Sequence, residues 1–103
     1  MKEDTVARIE IDEAGRLLVV PSSEAFPYIW REAMEVHWDS DRSALYAPAP
    51  RTWSRSRWLA QILDAARAQG CELRVTSETI WIGFDPDVEA ELRQAALAGE
   101  KAR

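Results

Sequence analysis

Residues 54–70, SRSRWLAQILDAARAQG, carry the signal that organises the fold. Apolar residues stand at positions 58, 59, 62, 63 and 66, the spacing of one face of an α-helix. Ser54 is a favourable N-cap residue, and Gly70 is typical of the turn that ends a helix. The sequence therefore predicts a helix between these two residues, with β-strands on either side of it.

Before this helix, residues 5–11 alternate between apolar and polar side chains, as a half-buried strand does. Gly15 supplies the left-handed position that a short loop needs, so the chain returns as a second strand that stops at Pro21. The inner face of this predicted hairpin is entirely apolar: Ala7, Ile9, Ile11, Leu17 and Val19.

Residues 34–39 also alternate, and their predicted inner residues are Met34, Val36 and Trp38. A two-residue loop at 40–41 would place Val36 opposite Leu45 in a second hairpin. For residues 22–33, between the two hairpins, the sequence favours a turn or a short helix.

After the helix, residues 71–84 predict a third hairpin around a Ser77-Glu78 loop, with Cys71, Leu73 and Val75 opposite Phe84, Ile82 and Ile80. The other face would pair Arg74 with Trp81 in a cation–π contact. Asp85-Pro86 then starts a second helix, which Gly99 is expected to end.

These elements predict an α+β fold with an antiparallel sheet of about six strands in three hairpins (ββ-ββ-α-ββ-α) and helices packed on one face. A chain of 103 residues fits a single domain, residues 1–103. Residues 1–4 and 100–103 are expected to fray at its ends.

The amino-acid composition argues against some classes of function. The net charge of −5 argues against nucleic acid as the main partner, although Arg51, Arg55 and Arg57 beside Trp53 form a possible basic and aromatic site. One cysteine, Cys71, and the lack of a leader or a membrane-spanning apolar run predict a cytoplasmic protein that binds no membrane.

Catalytic and metal-binding motifs are not found in the sequence. Glu35, His37 and Asp39 would share one strand face, but same-face neighbours stand about 7 Å apart, too far to converge on one ion or to relay a proton. We therefore predict no enzyme activity, no catalytic residues, no metal site and no cofactor. An enzyme centred on His37 is a further hypothesis, ranked after the two binding functions given below.

Aromatic and arginine residues are the preferred binding candidates because they dominate protein–protein hot spots. They are Tyr28, Trp30, Arg31, Tyr46, Trp53, Arg74 and Trp81. The second face of the sheet is expected to mix apolar and charged side chains and so to bind a partner or a second copy of the chain: Leu18, Val20, Tyr46 and Trp81 beside Arg8, Glu35 and Arg74.

These candidates favour a non-enzymatic protein-binding module whose partner could be a basic toxin. The alternative is a small-ligand protein with an aromatic pocket bounded by Tyr28, Trp30, Trp53 and Trp81.

Gly-Arg-Leu (15–17), the Tyr28–Ala33 block, Val36-His37-Trp38, Arg51-x-Trp53-Ser54 and Thr79-x-Trp81 resemble small bacterial proteins of mobile integron gene cassettes. The resemblance extends from Gly15 to about Ile82. It implies no catalytic residues, and some similar small acidic proteins are immunity proteins that neutralise a toxin. It marks six residues as unusual members of the pattern: Tyr28, Trp30, Arg31, Glu32, Trp53 and Trp81.

Overall fold

The computed structural model describes residues 2–48 and 53–101, with side chains up to residue 96. The elements in these residues are β1 (Lys2–Ile11), β2 (Leu17–Pro21), a 3₁₀ turn (Ile29–Arg31), β3 (His37–Asp39), β4 (Ala44–Ala47), α1 (Arg55–Ala68), β5 (Cys71–Arg74), β6 (Ile80–Ile82) and α2 (Pro86–Lys101). The predicted α+β class is confirmed.

The six strands form one mixed sheet in the order β3-β4-β2-β1-β5, and β6 also pairs with β1. The first two hairpins, β1–β2 and β3–β4, are antiparallel as predicted, and an antiparallel pairing of β2 with β4 joins them. The predicted third hairpin is wrong, because β5 and β6 do not pair with each other. Each runs parallel to a different part of β1, so together they form one interrupted outer edge.

Residues 75–79 interrupt this edge opposite a bulge in β1, where the register shifts between Val6 and Arg8. The buried Thr79 hydroxyl donates to the Val6 carbonyl at 2.7 Å and accepts the Thr76 N–H at 3.0 Å. One side chain thus replaces two backbone pairings. With Thr79 pointing inwards, Trp81 also lies on the inner face, whereas Ile80 and Ile82 point outwards.

The first hairpin has the predicted register, with Ile9 opposite Val19 and Ile11 opposite Leu17. Gly15 has the positive φ of 82° that its loop requires. The bulge reverses the alternation upstream of it, so Val6 is buried in place of the predicted Ala7.

The second hairpin is shorter than predicted. Trp38, rather than Val36, lies opposite Leu45, a shift of two residues that leaves the same set of side chains facing inwards. Met34 is an exception, since it lies before β3 and is exposed. The 3₁₀ turn at Ile29–Arg31 agrees with the short helix favoured for residues 22–33.

Helix α1 begins as predicted, because the Ser54 hydroxyl accepts the Arg57 N–H at 3.2 Å. It packs on β2, β4 and β5, and α2 packs beside it. The core between these helices and the sheet includes Ile9, Leu17, Val19, Leu45, Leu59, Ile62 and Leu92. Helix α2 begins at Pro86 as predicted, but it continues through Gly99 to Lys101.

At the N-terminus, where residues 1–4 were expected to fray, Lys2 to Thr5 pair with β5. Residues 100 and 101 belong to α2, and residues 1, 102 and 103 lie outside the described residues. No helix in the described ranges has the length and apolar character to cross a membrane.

Candidate functional site

The loop between β2 and β3 presents four large side chains to solvent: Tyr28, Trp30, Arg31 and Met34, which we name the loop patch. Tyr28, Trp30 and Met34 are 55%, 59% and 82% exposed. The same loop contributes buried side chains to the core, namely Phe26, Ile29 and Val36. Buried anchors thus alternate with the exposed members and hold them in place.

Arginine and aromatic groups stack within the loop patch. The Arg31 guanidinium lies 4.9 Å from the centre of the Tyr28 ring and 5.3 Å from that of Trp30, both within cation–π range. The Gln69 amide, at the end of α1, donates to the Glu32 carboxylate and ties the loop to the helix. The patch is therefore positioned by contacts on its protein side while its outer side stays exposed.

The second face of the sheet, here the open face, lies opposite both described helices. Two rows of residues cross it: His37, Tyr46, Leu18, Glu10 and Ile82, and Asp39, Ala44, Val20, Arg8 and Ile80. Ile80 and Ile82 are 59% and 44% exposed, whereas Leu18 is buried. The apolar exposure of this face is thus concentrated at its β6 edge.

Two of the predicted open-face residues lie elsewhere. Trp81 is half-buried on the inner face, because the β5–β6 hairpin that would have turned it outwards does not form. Glu35 lies in the loop before β3, with a positive φ of 63°, so it is not on a strand. Met34, Ile80 and Ile82, all predicted to face inwards, are exposed instead.

The predicted cation–π contact between Arg74 and Trp81 is also wrong. Arg74 forms an ion pair with Glu3 of the adjacent β1. The Arg93 guanidinium of α2 lies 5.2 Å from the centre of the Trp81 ring instead, and Phe84 packs edge-on against that ring. Arg74 and Trp81 therefore belong to separate environments.

Tyr46 lies half-buried on the open face, with the Arg16 guanidinium 4.8 Å from its ring centre. Arg16 is held by Asp12, whose carboxylate accepts its Nε–H at 2.7 Å. Burial raises the pKa of Asp12, but hydrogen bonds from Arg16 and Ala14 outweigh it, so the pKa lies below its usual value. This charge network covers the ring and orders the β1–β2 loop.

Trp53 precedes α1 and is half-buried against Trp58, with ring centres 4.7 Å apart. The Arg57 guanidinium covers the Trp53 ring at 4.0 Å, and Arg55 is half-buried. The third member of the predicted basic site, Arg51, lies outside the described residues. Trp53 thus packs against the core and against an arginine of α1, which leaves little of its ring to a ligand.

His37 is exposed and packs against Tyr46, with ring centres 5.2 Å apart. Asp39 accepts the N–H groups of Asp41 and Arg42 in the adjacent turn. The described residues contain no group of three or more His, Cys, Asp or Glu residues that could hold a metal ion. Cys71 is buried, and burial raises the pKa of its thiol.

Two cavities lie away from the predicted aromatic residues. One of about 180 Å³ lies between α1, α2 and β5, and its walls include Leu59, Leu63 and Ala96. The other, of about 320 Å³, is an open depression lined by hydroxyl side chains near Thr5 and Thr76. Neither is lined by Tyr28, Trp30, Trp53 or Trp81.

Of the seven predicted binding residues, the structure brings three together: Tyr28, Trp30 and Arg31. Met34 completes this patch and was missed because the alternation of residues 34–39 placed it inside a strand. The fold defines a small α+β protein with an open mixed sheet and an exposed aromatic loop.

Comparison with known proteins identifies its family. Residues 4–79 match the family model described as Integron Cassette Protein Hfx_Cass5. A solved structure, "Structure from the mobile metagenome of North West Arm Sewage Outfall: Integron Cassette Protein Hfx_Cass5", is 46% identical and covers 94% of this chain and 98% of that chain, with a TM-score of 0.48. No curated protein matched. The chain belongs to the Hfx_Cass5 integron cassette protein family, which confirms the resemblance seen in the sequence.

Proposed function

We propose that this chain is a non-enzymatic protein-binding module that captures a partner through the loop patch. The observation that carries the proposal is the exposure of Tyr28, Trp30 and Met34 around Arg31 on a loop anchored in the core. Trp, Tyr and Arg are the residue types that supply most binding energy at interfaces, and Met is enriched there.

The anchored loop favours affinity. Phe26, Ile29 and Val36 are at most 3% exposed, so the segment is fixed before a partner arrives. A fixed surface loses less conformational freedom on binding than a mobile one does. More of the energy gained by covering the Trp30 and Tyr28 rings therefore remains as affinity.

Charge favours a basic segment of a protein as the partner. The chain has a net charge of −5, and Glu32 and Glu35 are exposed in the loop itself. Acidic groups attract a basic partner during encounter, and aromatic rings accept its Lys or Arg side chains in cation–π contacts. An immunity-type or other accessory protein of a mobile element, acting in the cytoplasm on a basic toxin, fits this surface.

The proposal is non-enzymatic because the chain's single histidine, His37, lies exposed against Tyr46. Its neighbour Asp39 is engaged by backbone N–H groups of a turn, and Glu35 lies outside the strand. These three residues do not form the paired acid and base that proton transfer needs.

The test measures binding of proteins encoded beside the chain, and of Lys/Arg-rich and Glu/Asp-rich peptides, by calorimetry. Trp30→Ala should weaken binding of a basic partner by about 30-fold or more, as a hot-spot residue does. Ile80→Ala is the matched control, because Ile80 is also 59% exposed but lies on the open face. Equal effects of the two variants, or preference for acidic peptides, would contradict the proposal.

A further inference from the structure

Strand β6 is an edge strand whose protection against pairing is limited to its length of three residues. Its residues are Ile80, Trp81 and Ile82, and it pairs with β1 alone among the described strands. Natural edge strands are kept from pairing with another chain by short length, charges, prolines or bulges. β3, at the opposite edge of the sheet, carries His37 and Asp39, and β5, on the same outer edge as β6, carries Glu72 and Arg74. β6 has neither charge nor proline.

The sequence of β6 is the same in both directions, Ile-Trp-Ile. We propose that β6 pairs antiparallel with β6 of a second copy around a two-fold axis at Trp81, which joins the two sheets into one. A two-fold interface requires a surface that is complementary to itself. In this register Ile80 of each copy lies opposite Ile82 of the other, and the two Trp81 residues lie opposite each other.

The pairing accounts for the exposed isoleucines. Ile80 and Ile82 are 59% and 44% exposed on the open face, at the edge of the sheet. Directly opposite side chains of an antiparallel pair have Cβ atoms about 5 Å apart, so the four isoleucines of a dimer would cover one another. The apolar area that the single chain leaves in water would be removed from it.

Charges on the open face are complementary in the same register. Arg8 lies beside Ile80 and Glu10 beside Ile82, in the two rows that reach the β6 edge. The two-fold axis continues the Arg8 row of one copy into the Glu10 row of the other, so opposite charges flank the four isoleucines on both rows. A parallel pairing of the two free β6 edges would need an axis along the strands, which places the open face of one copy beside the inner face of the other and separates the exposed isoleucines. Arg8 and Glu10 already form an ion pair within each copy, at 3.2 Å, so the isoleucine contacts and not the charges favour the antiparallel register.

This dimer is independent of the proposed partner site. The loop patch precedes β3, at the other edge of the sheet from β6. Joining two β6 strands therefore leaves both loop patches exposed, at the two ends of a continuous sheet. A three-residue pairing covers less than the roughly 800 Å² per partner of a stable interface, so we expect a weak dimer that forms at high protein concentration.

Sedimentation velocity over a wide concentration range tests the proposal with the full chain. The wild-type protein should shift from monomer to dimer, and Ile80→Lys and Ile82→Glu should each weaken the dimer by about 30-fold or more, because each places an unpaired charge against isoleucine. The double variant Ile80→Lys, Ile82→Glu should recover most of the affinity, because every introduced lysine then faces an introduced glutamate of the other copy.

Met34→Lys is the control, since Met34 is 82% exposed in the loop patch and should leave the dimer unchanged. Circular dichroism checks that each variant is folded. A wild-type protein that stays monomeric, single variants without effect, or a double variant no better than the singles would overturn the proposal. Trp30→Ala affects only the proposed partner site, so the two proposals can fail separately.

Discussion

Thr79→Val tests how the interrupted edge is held on β1. The substitution keeps the shape of the side chain and removes its hydroxyl, which donates to the Val6 carbonyl at 2.7 Å and accepts the Thr76 N–H at 3.0 Å. Thr79 is 4% exposed, so water cannot easily replace these contacts. Each buried polar group left without a partner costs about 1–3 kcal/mol.

Because two backbone groups lose their partner, we expect Thr79→Val to lower the free energy of unfolding by about 2–6 kcal/mol. A domain of this size has a total stability of about 5–15 kcal/mol, so the loss is a large fraction of it. The melting temperature should fall by at least about 8 °C. Urea unfolding followed by circular dichroism gives the free energy directly.

Thr5→Val is the matched control. The Thr5 hydroxyl also makes a 2.7 Å contact, with the Ser22 hydroxyl, but both residues are exposed and water can replace the lost bond. This variant should change stability by no more than about 0.5 kcal/mol. Equal losses in the two variants would refute the idea that Thr79 fastens the β5–β6 edge to the bulge of β1.

Two further predictions concern stability. Gly70→Ala should lower the free energy of unfolding by about 1 kcal/mol, because φ is 90° there although the new Cβ meets nothing within 4 Å. Gly83→Ala should lower it clearly more, since its Cβ would lie 2.9 Å from the Ile11 carbonyl oxygen. Equal losses in urea unfolding of the two variants would show that this contact is harmless. Burial has the largest single effect on the pKa of Asp4 and raises it, but hydrogen bonds, the strongest from the Ser23 N–H, together bring the pKa below its usual 3.8. The Asp4 carboxylate therefore stabilises the fold above that pH. This stability is lost as the pH falls through the lowered pKa. Asp4→Asn should therefore be less stable than wild type at pH 7 and should lose less stability on acidification, and parallel pH profiles of unfolding would contradict this role.

The locally encoded elements could be predicted from the sequence. The register of the first hairpin follows from alternation and from Gly15, and α1 follows from helical spacing between Ser54 and Gly70. Each depends on residues close together in the chain. Their turns and caps contain the residue types that those conformations require.

The third hairpin failed because its competitor is distant in sequence. β5 and β6 align with residues 2–5 and 8–10 of β1, a pairing that no local pattern encodes. One signal did argue against the hairpin: a two-residue loop of Ser77-Glu78 lacks the Gly, Asn or Asp that such loops favour. Because Thr79, the first residue of the predicted strand, is buried, the side chains of β6 that face inwards are the opposite set to the one predicted.

The candidate site was predicted in part. Tyr28, Trp30 and Arg31 were chosen for their residue types, and the structure gathers them on one exposed loop. Trp53 and Trp81 were chosen for the same reason, but they pack against Trp58 and Phe84 in partly buried positions. Residue type alone does not separate a ring that binds from one that fills the interior.

The central claim is that the loop patch binds a basic protein segment. Its most direct test is a titration of ¹⁵N-labelled protein with a Lys/Arg-rich peptide, followed by NMR. The account predicts that the largest shifts fall on residues 26–36 and on the Trp30 indole N–H, while the signals of Ile80 and Ile82 stay in place. Shifts centred on the open face, or none at peptide concentrations up to about 1 mM, would contradict it.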